Sequence, residues 1–206
     1  MRAVILSKYN KEENVEIKEI PIPAVGRNEV LVKIKYAGVN PLDNMIIREE
    51  VKFIVPYNLP LVMGNEFSGM IENIGSDVSE FKKGDRVYGR MPLNKIGAFA
   101  EYTAIDKGAI AIIPNYLSFK EAACIPLTAL TAMQAFELMG AKSSERVFIS
   151  GGTGSFGAMA IPIGKSLGLK ISTSGSGSNK DRAMKLGADE FFDYRNHLKF
   201  YKMLRR

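Results

Sequence analysis

The sequence predicts an α/β plus β chain: a β-rich part over residues 1–117, a helix and one parallel βαβαβ unit over 118–194, and a basic tail over 195–206. Three observations carry that prediction. Short apolar or alternating runs, separated by turn-forming pairs, fill the β-rich part. A capping box, Ser118-Phe-Lys-Glu121, marks where the character changes. Further on, a β-branched apolar run at 147–149 leads straight into Gly152-x-Gly154-x-x-Gly157 and a helix-compatible segment.

In chain order, Val30-Leu-Val-Lys-Ile-Lys-Tyr36 alternates apolar and polar residues, the pattern of a half-buried strand. Further strands are predicted over 69–74, 86–88, 99–105 and 109–113. Gly75-Ser76, Lys83-Gly84-Asp85 and Lys107-Gly108 supply the turns between them. Short strands at this spacing suggest a small barrel or sandwich. Ser118 opens an apolar helical run through Ala122, Ala123, Leu130, Ala132, Phe136 and Met139. Pro126 should kink or split that run, because it has no N–H to give the helix ladder, and Gly140 should stop it. From Arg146 onward the pattern reads as strand, helix (155–167), strand (170–174), helix (178–186) and strand (190–194). Pro162 is expected to bend the first of these helices.

The glycine turn carries the clearest chemistry. A dinucleotide's pyrophosphate needs a strand, a tight turn and a helix start, in that order. Gly152 permits the turn, Gly154 lets the backbone approach the phosphates, and Gly157 lets helix and strand pack closely. The backbone amides of Thr153, Ser155 and Phe156 then lie where a helix N-terminus offers free N–H donors and partial positive charge. The alternative is a plain strand-to-helix turn.

Composition bounds the rest. With 46% apolar and 24% charged residues, the chain reads as an ordinary globular protein. Met1-Arg2-Ala3-Val4-Ile5-Leu6 is too short an apolar run for a signal peptide, and no stretch reaches membrane-spanning length. The single cysteine, Cys124, rules out an internal disulfide and points to a cytoplasmic location. The net charge of +6 sits largely in the tail. Arg195, Lys199, Lys202, Arg205 and Arg206 are there with no acidic residue, so the body is nearly neutral and a nucleic-acid partner is not expected.

Several segments together resemble the medium-chain dehydrogenase/reductases. They are Met1-Arg-Ala-Val-Ile, Ala37-Gly-Val-Asn-Pro-Leu-Asp43, Met63-Gly-Asn-Glu-Phe-Ser-Gly69, Gly75-Ser-Asp-Val-Ser-Glu-Phe-Lys-Lys-Gly-Asp-Arg-Val87, Gly97-Ala-Phe-Ala-Glu-Tyr102 and Pro126-Leu-Thr-Ala-Leu-Thr-Ala132. The resemblance spans residues 1–194 and is strongest to the zinc-independent, quinone-oxidoreductase-like branch. It implies a GroES-like β-barrel domain on the substrate side, followed by a Rossmann domain that binds NADP(H). The zinc branch has Cys-His where this chain has Asn40-Pro41, and Gly-His-Glu where it has Gly64-Asn65-Glu66. Catalytic zinc wants three protein ligands, mostly Cys and His. Cys124 and His197 match no ligand position, Asp43 and Glu66 alone rarely make a zinc site, and no metal is expected.

Without a Lewis acid, hydride transfer needs an electron-poor acceptor such as a quinone, an enone or another activated carbonyl. The resemblance makes Asn40 the first candidate to donate a hydrogen bond to the developing negative charge; otherwise it caps the turn before Pro41. The tyrosine often found two residues after the Asp43 position is Met45 here, and Tyr57 is a candidate substitute. Asn65 reads as a relic of the lost ligand position, held by loop hydrogen bonds.

For the cofactor, no acid stands where the second strand of the βαβαβ unit ends, so nothing repels a 2′-phosphate. Ser174, Ser176 and Lys180 can donate to one, with Arg182 beside them. The resemblance places a lysine at the Lys180 position and a tyrosine at the Tyr194 position in NADPH reductases. Alternatively, Lys180 and Arg182 decorate a solvated helix face. Thr131 matches a family position near the nicotinamide or its phosphates, or else packs the helix.

A complete doubly wound domain has two βαβαβ halves, and only one is visible before the tail, so a C-terminal truncation is expected. Two readings stay open: a reductase, or an inactive remnant that binds only the adenosine-phosphate half of NADP. The resemblance implies homodimers through the edge strand of a complete sheet, an edge that this sequence does not reach.

Overall fold

The computed structural model describes residues 1–196; positions 197–206, most of the expected basic tail, lie outside the described residues. The chain divides into two units, Met1–Leu127 and a second beginning at Thr128. The first contains β1 (Arg2–Leu6), β2 (Glu16–Glu19), β3 (Glu29–Gly38), α1 (Pro41–Ile47), β4 (Leu61–Val62), β5 (Glu66–Ile74), β6 (Arg86–Arg90), β7 (Tyr102–Asp106), β8 (Ile110–Ile112) and α2 (Phe119–Ala122).

Strand β3 organises this unit because it is paired on both sides, to β5 and to β7. Val30 and Val32 are fully buried, and Leu31 is nearly so. The strand start is therefore covered on both faces, more than the sequence alternation implies. The five-stranded antiparallel order is β7-β3-β5-β6-β8, and a separate three-stranded sheet runs β2-β1-β4. These sheets are joined through the segment before β7, where Val4 N–H donates to Phe99 O at 2.8 Å and Glu101 N–H to Arg2 O at 3.1 Å, beside an Ala3–Ala100 bridge. The larger sheet ends at β7 and β8, so the β-rich unit of the expected GroES-like fold consists of two open sheets that do not close into a barrel. Phe67, Leu6, Ile46, Met63, Ile71 and Ile105 fill the core.

Several predicted elements shift for local reasons. The strand predicted from residue 99 begins only at Tyr102, since Phe99 and Ala100 are engaged with β1. Before β8, residues Lys107–Ala109 form a 3-10 turn, capped where the Asp106 carboxylate accepts from Gly108 N–H at 2.8 Å. The capping box at Ser118 forms as predicted, with Glu121 accepting from Ser118 N–H. The helical run then splits at Pro126, which becomes the first residue of α3 (Pro126–Leu138). Gly140, at φ 61°, ends α3 through a bond from Ala141 N–H to Phe136 O at 3.1 Å.

In the second unit, β9 (Arg146–Ile149), α4 (Ser155–Ser166), β10 (Lys170–Gly175), α5 (Lys180–Lys185) and β11 (Glu190–Asp193) form the predicted βαβαβ sequence. The sheet is parallel in the order β11-β10-β9. Helix α4 runs unbroken through Pro162, which lies on its exposed side where a missing N–H costs least. Ala132, Phe136, Ile149, Ala160, Ile161, Leu169 and Ile171 make a second core.

The start of α4 depends on one close approach. A Cβ on Gly157 would lie 2.3 Å from Gly152 Cα, and one on Gly152 would lie 2.0 Å from Thr173 Oγ1. Thr173 cannot yield, because its buried hydroxyl donates to Ile149 O at 2.6 Å. Gly157→Ala is therefore expected to destabilise the second unit by about 1–3 kcal/mol, the usual cost of overpacking. Urea unfolding checks this, and an unchanged midpoint would show that the turn has room to give.

Candidate functional site

Four polar residues are buried together in the first unit: Asn40, Asp43, Asn65 and Glu66, each no more than 9% exposed. Asn40 is the N-cap residue of α1, with Pro41 at the first helical position. Its backbone N–H donates to Asp43 Oδ2 at 2.7 Å, and its side-chain Nδ2 donates to Glu66 Oε1 at 2.8 Å. Asn65 Nδ2 donates to Asp43 Oδ1 at 2.7 Å. The Leu127 N–H, at the start of α3, donates to Glu66 Oε2 at 2.8 Å. Each oxygen of both carboxyl groups thus receives one N–H donor, and neither group joins an ion pair among the described residues.

Burial without a cation pushes both carboxyls above their ordinary range, and the N–H donors partly offset that rise. Arg90 lowers Glu66 through its charge, while Asp43 raises it. Burial also pushes the half-buried Tyr57 phenol up, with the Arg90 charge acting in the opposite sense. Asn65 Oδ1 is buried without a partner. The anchor of Asn65 is therefore the carboxylate of α1, in place of the expected loop hydrogen bonds. Asp43, Asn65 and Glu66 do not stand out from their types alone; the signal is their meeting at one buried point from α1 and the start of β5.

The glycine loop is the centre of the second unit. It is held from β10: Gly152 N–H donates to Ser174 O at 3.1 Å and Gly151 N–H to Ser174 Oγ at 3.4 Å. Gly154 is the N-cap residue of α4, and its own N–H turns back to Gly151 O at 2.9 Å. Ser155, Phe156 and Gly157 form the first turn of α4, whose N–H groups have no intrahelical acceptor. Ser155 and Phe156 are exposed, and Thr153 is half-buried. The structure thus brings Gly152, Thr153, Gly154, Ser155, Phe156, Gly157 and Ser174 together.

Of the other predicted cofactor residues, Ser176, Lys180 and Tyr194 lie near the ends of β10 and β11. Ser176 Oγ lies 3.0 Å from Ser178 Oγ and accepts from Asn179 Nδ2 at 3.2 Å. Lys180 is exposed at the start of α5. Tyr194 N–H donates to Gly175 O at 3.2 Å, its ring is half-exposed, and the Arg195 guanidinium lies 6.0 Å from the ring centre. Thr131 is exposed on α3.

Sequence reading missed one residue here. Asp193 is in register with Gly175, and its carboxylate lies against Gly177, where a Cβ would come within 2.5 Å of Oδ2. An acid therefore does stand beside the end of β10, supplied by the neighbouring strand. Its Oδ1 accepts from Arg195 N–H at 3.0 Å.

The fit of a dinucleotide rests on the Gly152–Gly157 contact, which leaves the first turn of α4 open to an anion. Among the described residues, no cluster of three His, Cys, Asp or Glu side chains could hold a metal, and no helix is long and apolar enough to cross a membrane.

Residues 26–115 match the alcohol dehydrogenase GroES-like domain. The chain is 33% identical over 198 residues to a quinone oxidoreductase of Sus scrofa, covering 95% of this chain and 59% of the relative. It is 31% identical over 204 residues to a 2-methylene-furan-3-one reductase of Solanum lycopersicum, covering 94% and 52%. Among solved structures, the quinone oxidoreductase of Coxiella burnetii aligns with a TM-score of 0.82 at 30% identity, covering 95% of this chain and 62% of that one. The Escherichia coli quinone oxidoreductase complexed with NADPH aligns with a TM-score of 0.81 at 27% identity, covering 95% and 59%. The chain thus spans little more than half the length of these relatives.

The acid–amide cluster makes a prediction about pH. The folded-state value of Asp43 lies above its ordinary 3.8, so on acidification the folded protein takes up this proton before the unfolded chain does. The contribution of Asp43 to stability is accordingly smallest at neutral pH and grows as pH falls through the folded value. Asp43→Asn removes that dependence. The unfolding free energy of wild type relative to the variant, measured in urea, is expected to move in favour of wild type from neutral to mildly acidic pH. A difference that stays constant with pH would contradict the raised value.

Proposed function

We propose, for a chain that belongs to the medium-chain dehydrogenase/reductases and resembles their quinone-oxidoreductase-like members, the zinc-free, NADPH-dependent reduction of a quinone, an enone or a similarly activated carbonyl. The observation that carries this reading is the loop from Gly151 to Gly157. It is held by Ser174 and opens onto the first turn of a twelve-residue helix. A relative of the same fold is described as complexed with NADPH, and relatives are named for quinone and furanone reduction.

When bound, the dihydronicotinamide supplies a hydride equivalent. The amides of Thr153, Ser155 and Phe156 would bind the diphosphate, with Gly152, Gly154 and Gly157 leaving the room. Ser176, Lys180 and Tyr194 would hold the 2′-phosphate, and Thr131 would lie on the nicotinamide side. Ser174 serves by bracing the loop. Asp193 opposes a 2′-phosphate, so Lys180 has to outweigh it. Asn40 would donate its uncommitted side-chain N–H to the oxygen that gains negative charge. Tyr57, whose phenol burial keeps protonated, would be the candidate to return a proton.

A second reading is narrower. It is the binding of the adenosine-phosphate half of NADP alone, and it rests on Ser176, Lys180 and Tyr194 lying near the ends of β10 and β11.

NADPH titration followed by an assay with 9,10-phenanthrenequinone separates the two. Turnover supports the reductase, whereas binding of 2′-phospho-AMP without turnover supports the half-site. Preference for NADH over NADPH would refute the cofactor reading. Lys180→Ala is expected to weaken NADPH binding by about 1.5–3 kcal/mol, as loss of a charged hydrogen bond does. An unchanged dissociation constant, measured by calorimetry, would return Lys180 to the solvated helix face.

A further inference from the structure

Asn40 can act as a directed donor only if something holds its amide, because an asparagine side chain rotates and its two ends are nearly equal in size. Glu66 is the group in position to do this. Its Oε1 accepts one Asn40 Nδ2 hydrogen at 2.8 Å, and its Oε2 accepts the Leu127 N–H at 2.8 Å. On the main-chain side, Asn40 N–H donates to Asp43 Oδ2 at 2.7 Å and Asp43 N–H donates back to Asn40 O at 2.9 Å, which fixes the backbone that carries the amide. The amide is therefore oriented through its Nδ2 by Glu66, and its second Nδ2 hydrogen has no protein acceptor among the described residues.

The backbone is shaped to admit this carboxyl. Gly38 is paired with Glu66 across β3 and β5. A Cβ at Gly38 would lie 2.4 Å from Glu66 Oε1 and 2.9 Å from Ala123 O. A side chain there would occupy the place of the very oxygen that holds Asn40. The glycine and the two N–H bonds fix Glu66 independently of one another.

We propose that Glu66 is a positioning residue, which orients the Asn40 amide toward the substrate oxygen while tying it to the first turn of α3. This rests on the reductase reading for the role of Asn40, though the Glu66–Asn40 contact itself does not. A carboxylate is needed for a simple reason. Both neighbours are donors, and only a group with two acceptor oxygens satisfies both. The isosteric glutamine offers one. The Leu127 N–H cannot turn, so a glutamine oxygen would face it, and its NH2 would face Asn40. That forces the Asn40 amide to flip and present its oxygen.

The test is Glu66→Gln in the 206-residue chain, with a thermal melt to confirm folding and Gly38→Ala as a second variant that displaces the same carboxyl without altering it. With 9,10-phenanthrenequinone, kcat is expected to fall about 100-fold, as a misplaced group typically costs, with NADPH affinity unchanged. In an Asn40→Ala background the same substitution should cost nothing further. A fall in kcat equal in both backgrounds would overturn the proposal. A second readout needs no turnover: the Asn40 side-chain NH2 resonances in a nitrogen-15 spectrum. One hydrogen of the pair should be shifted downfield and slow to exchange in wild type, and should lose both features in Glu66→Gln and Gly38→Ala. Unchanged resonances would overturn the proposal even if wild type reduces quinones. A wild type without turnover but with the expected resonance change would defeat the reductase reading and leave the Glu66–Asn40 contact standing.

Discussion

Two buried carboxyl groups that join no ion pair among the described residues, Asp43 and Glu66, are the constraint on which the candidate site of the first unit depends. A buried charge lacking a partner is among the most destabilising features a fold can hold, and the usual remedy is a lysine or arginine. Here the remedy is a set of N–H donors from Asn40, Asn65 and Leu127, one on each carboxyl oxygen. That solution is rigid in a way an ion pair is not. A flexible cation tolerates displacement, whereas a hydrogen bond weakens steeply as its angle closes. The side chains at the start of α1 and of β5 are therefore locked together by the need to keep both carboxyls satisfied. The low local dielectric that makes their burial costly also strengthens each donor.

Close backbone approach performs a different task in each unit. At Gly38 the missing side chain admits a carboxylate oxygen, and at Gly157 it admits the turn of a helix onto the preceding loop. In neither case is positive φ the reason, since both residues lie outside the left-handed region. The second contact brings the start of α4 against Gly152, in the loop that follows β9, and the N–H groups of that first turn have no intrahelical acceptor. Ser174, fixed in the central strand, then bonds the loop with both its main-chain and side-chain oxygens. Order at the loop thus comes from the sheet, before any ligand contributes.

The parts legible in the sequence were those with strong local codes. The glycine turn, the capping box at Ser118 and the stop at Gly140 depend on residues within a few positions of one another, and all form. Strand β2, by contrast, is exposed along its whole length, so its short alternation at Glu16-Ile17-Lys18 marks no buried face. Strand β4 has two residues, and α1 has seven, held by its capping box and by burial of Ile46 and Ile47. These exist through partners far along the chain. The same division holds for the candidate site. Asn40 and the loop residues could be named from motifs, but the joining of Asp43 and Asn65 spans 22 positions. Asp193 was hidden for a related reason: parallel pairing brings it beside Gly175, and no inspection of one strand end reveals what its neighbour supplies.

An amide in place of a metal also sets what chemistry the proposed site can support. A well-placed oxyanion donor lowers a barrier by about 2.7–4 kcal/mol, a factor of roughly a hundred to a thousand. A bound divalent ion can polarise a carbonyl more strongly and needs no proton bookkeeping. With Asn40 as the principal donor, the remainder of the barrier has to be met by positioning and by the acceptor itself. A quinone or conjugated enone meets it, because the arriving electron pair is delocalised over the conjugated system and little charge remains for the protein to stabilise. A simple aliphatic ketone concentrates the charge on one oxygen, where a single neutral donor is insufficient. Under the proposed reading, orientation would matter more than donor strength, and Glu66 would act on the rate only through Asn40.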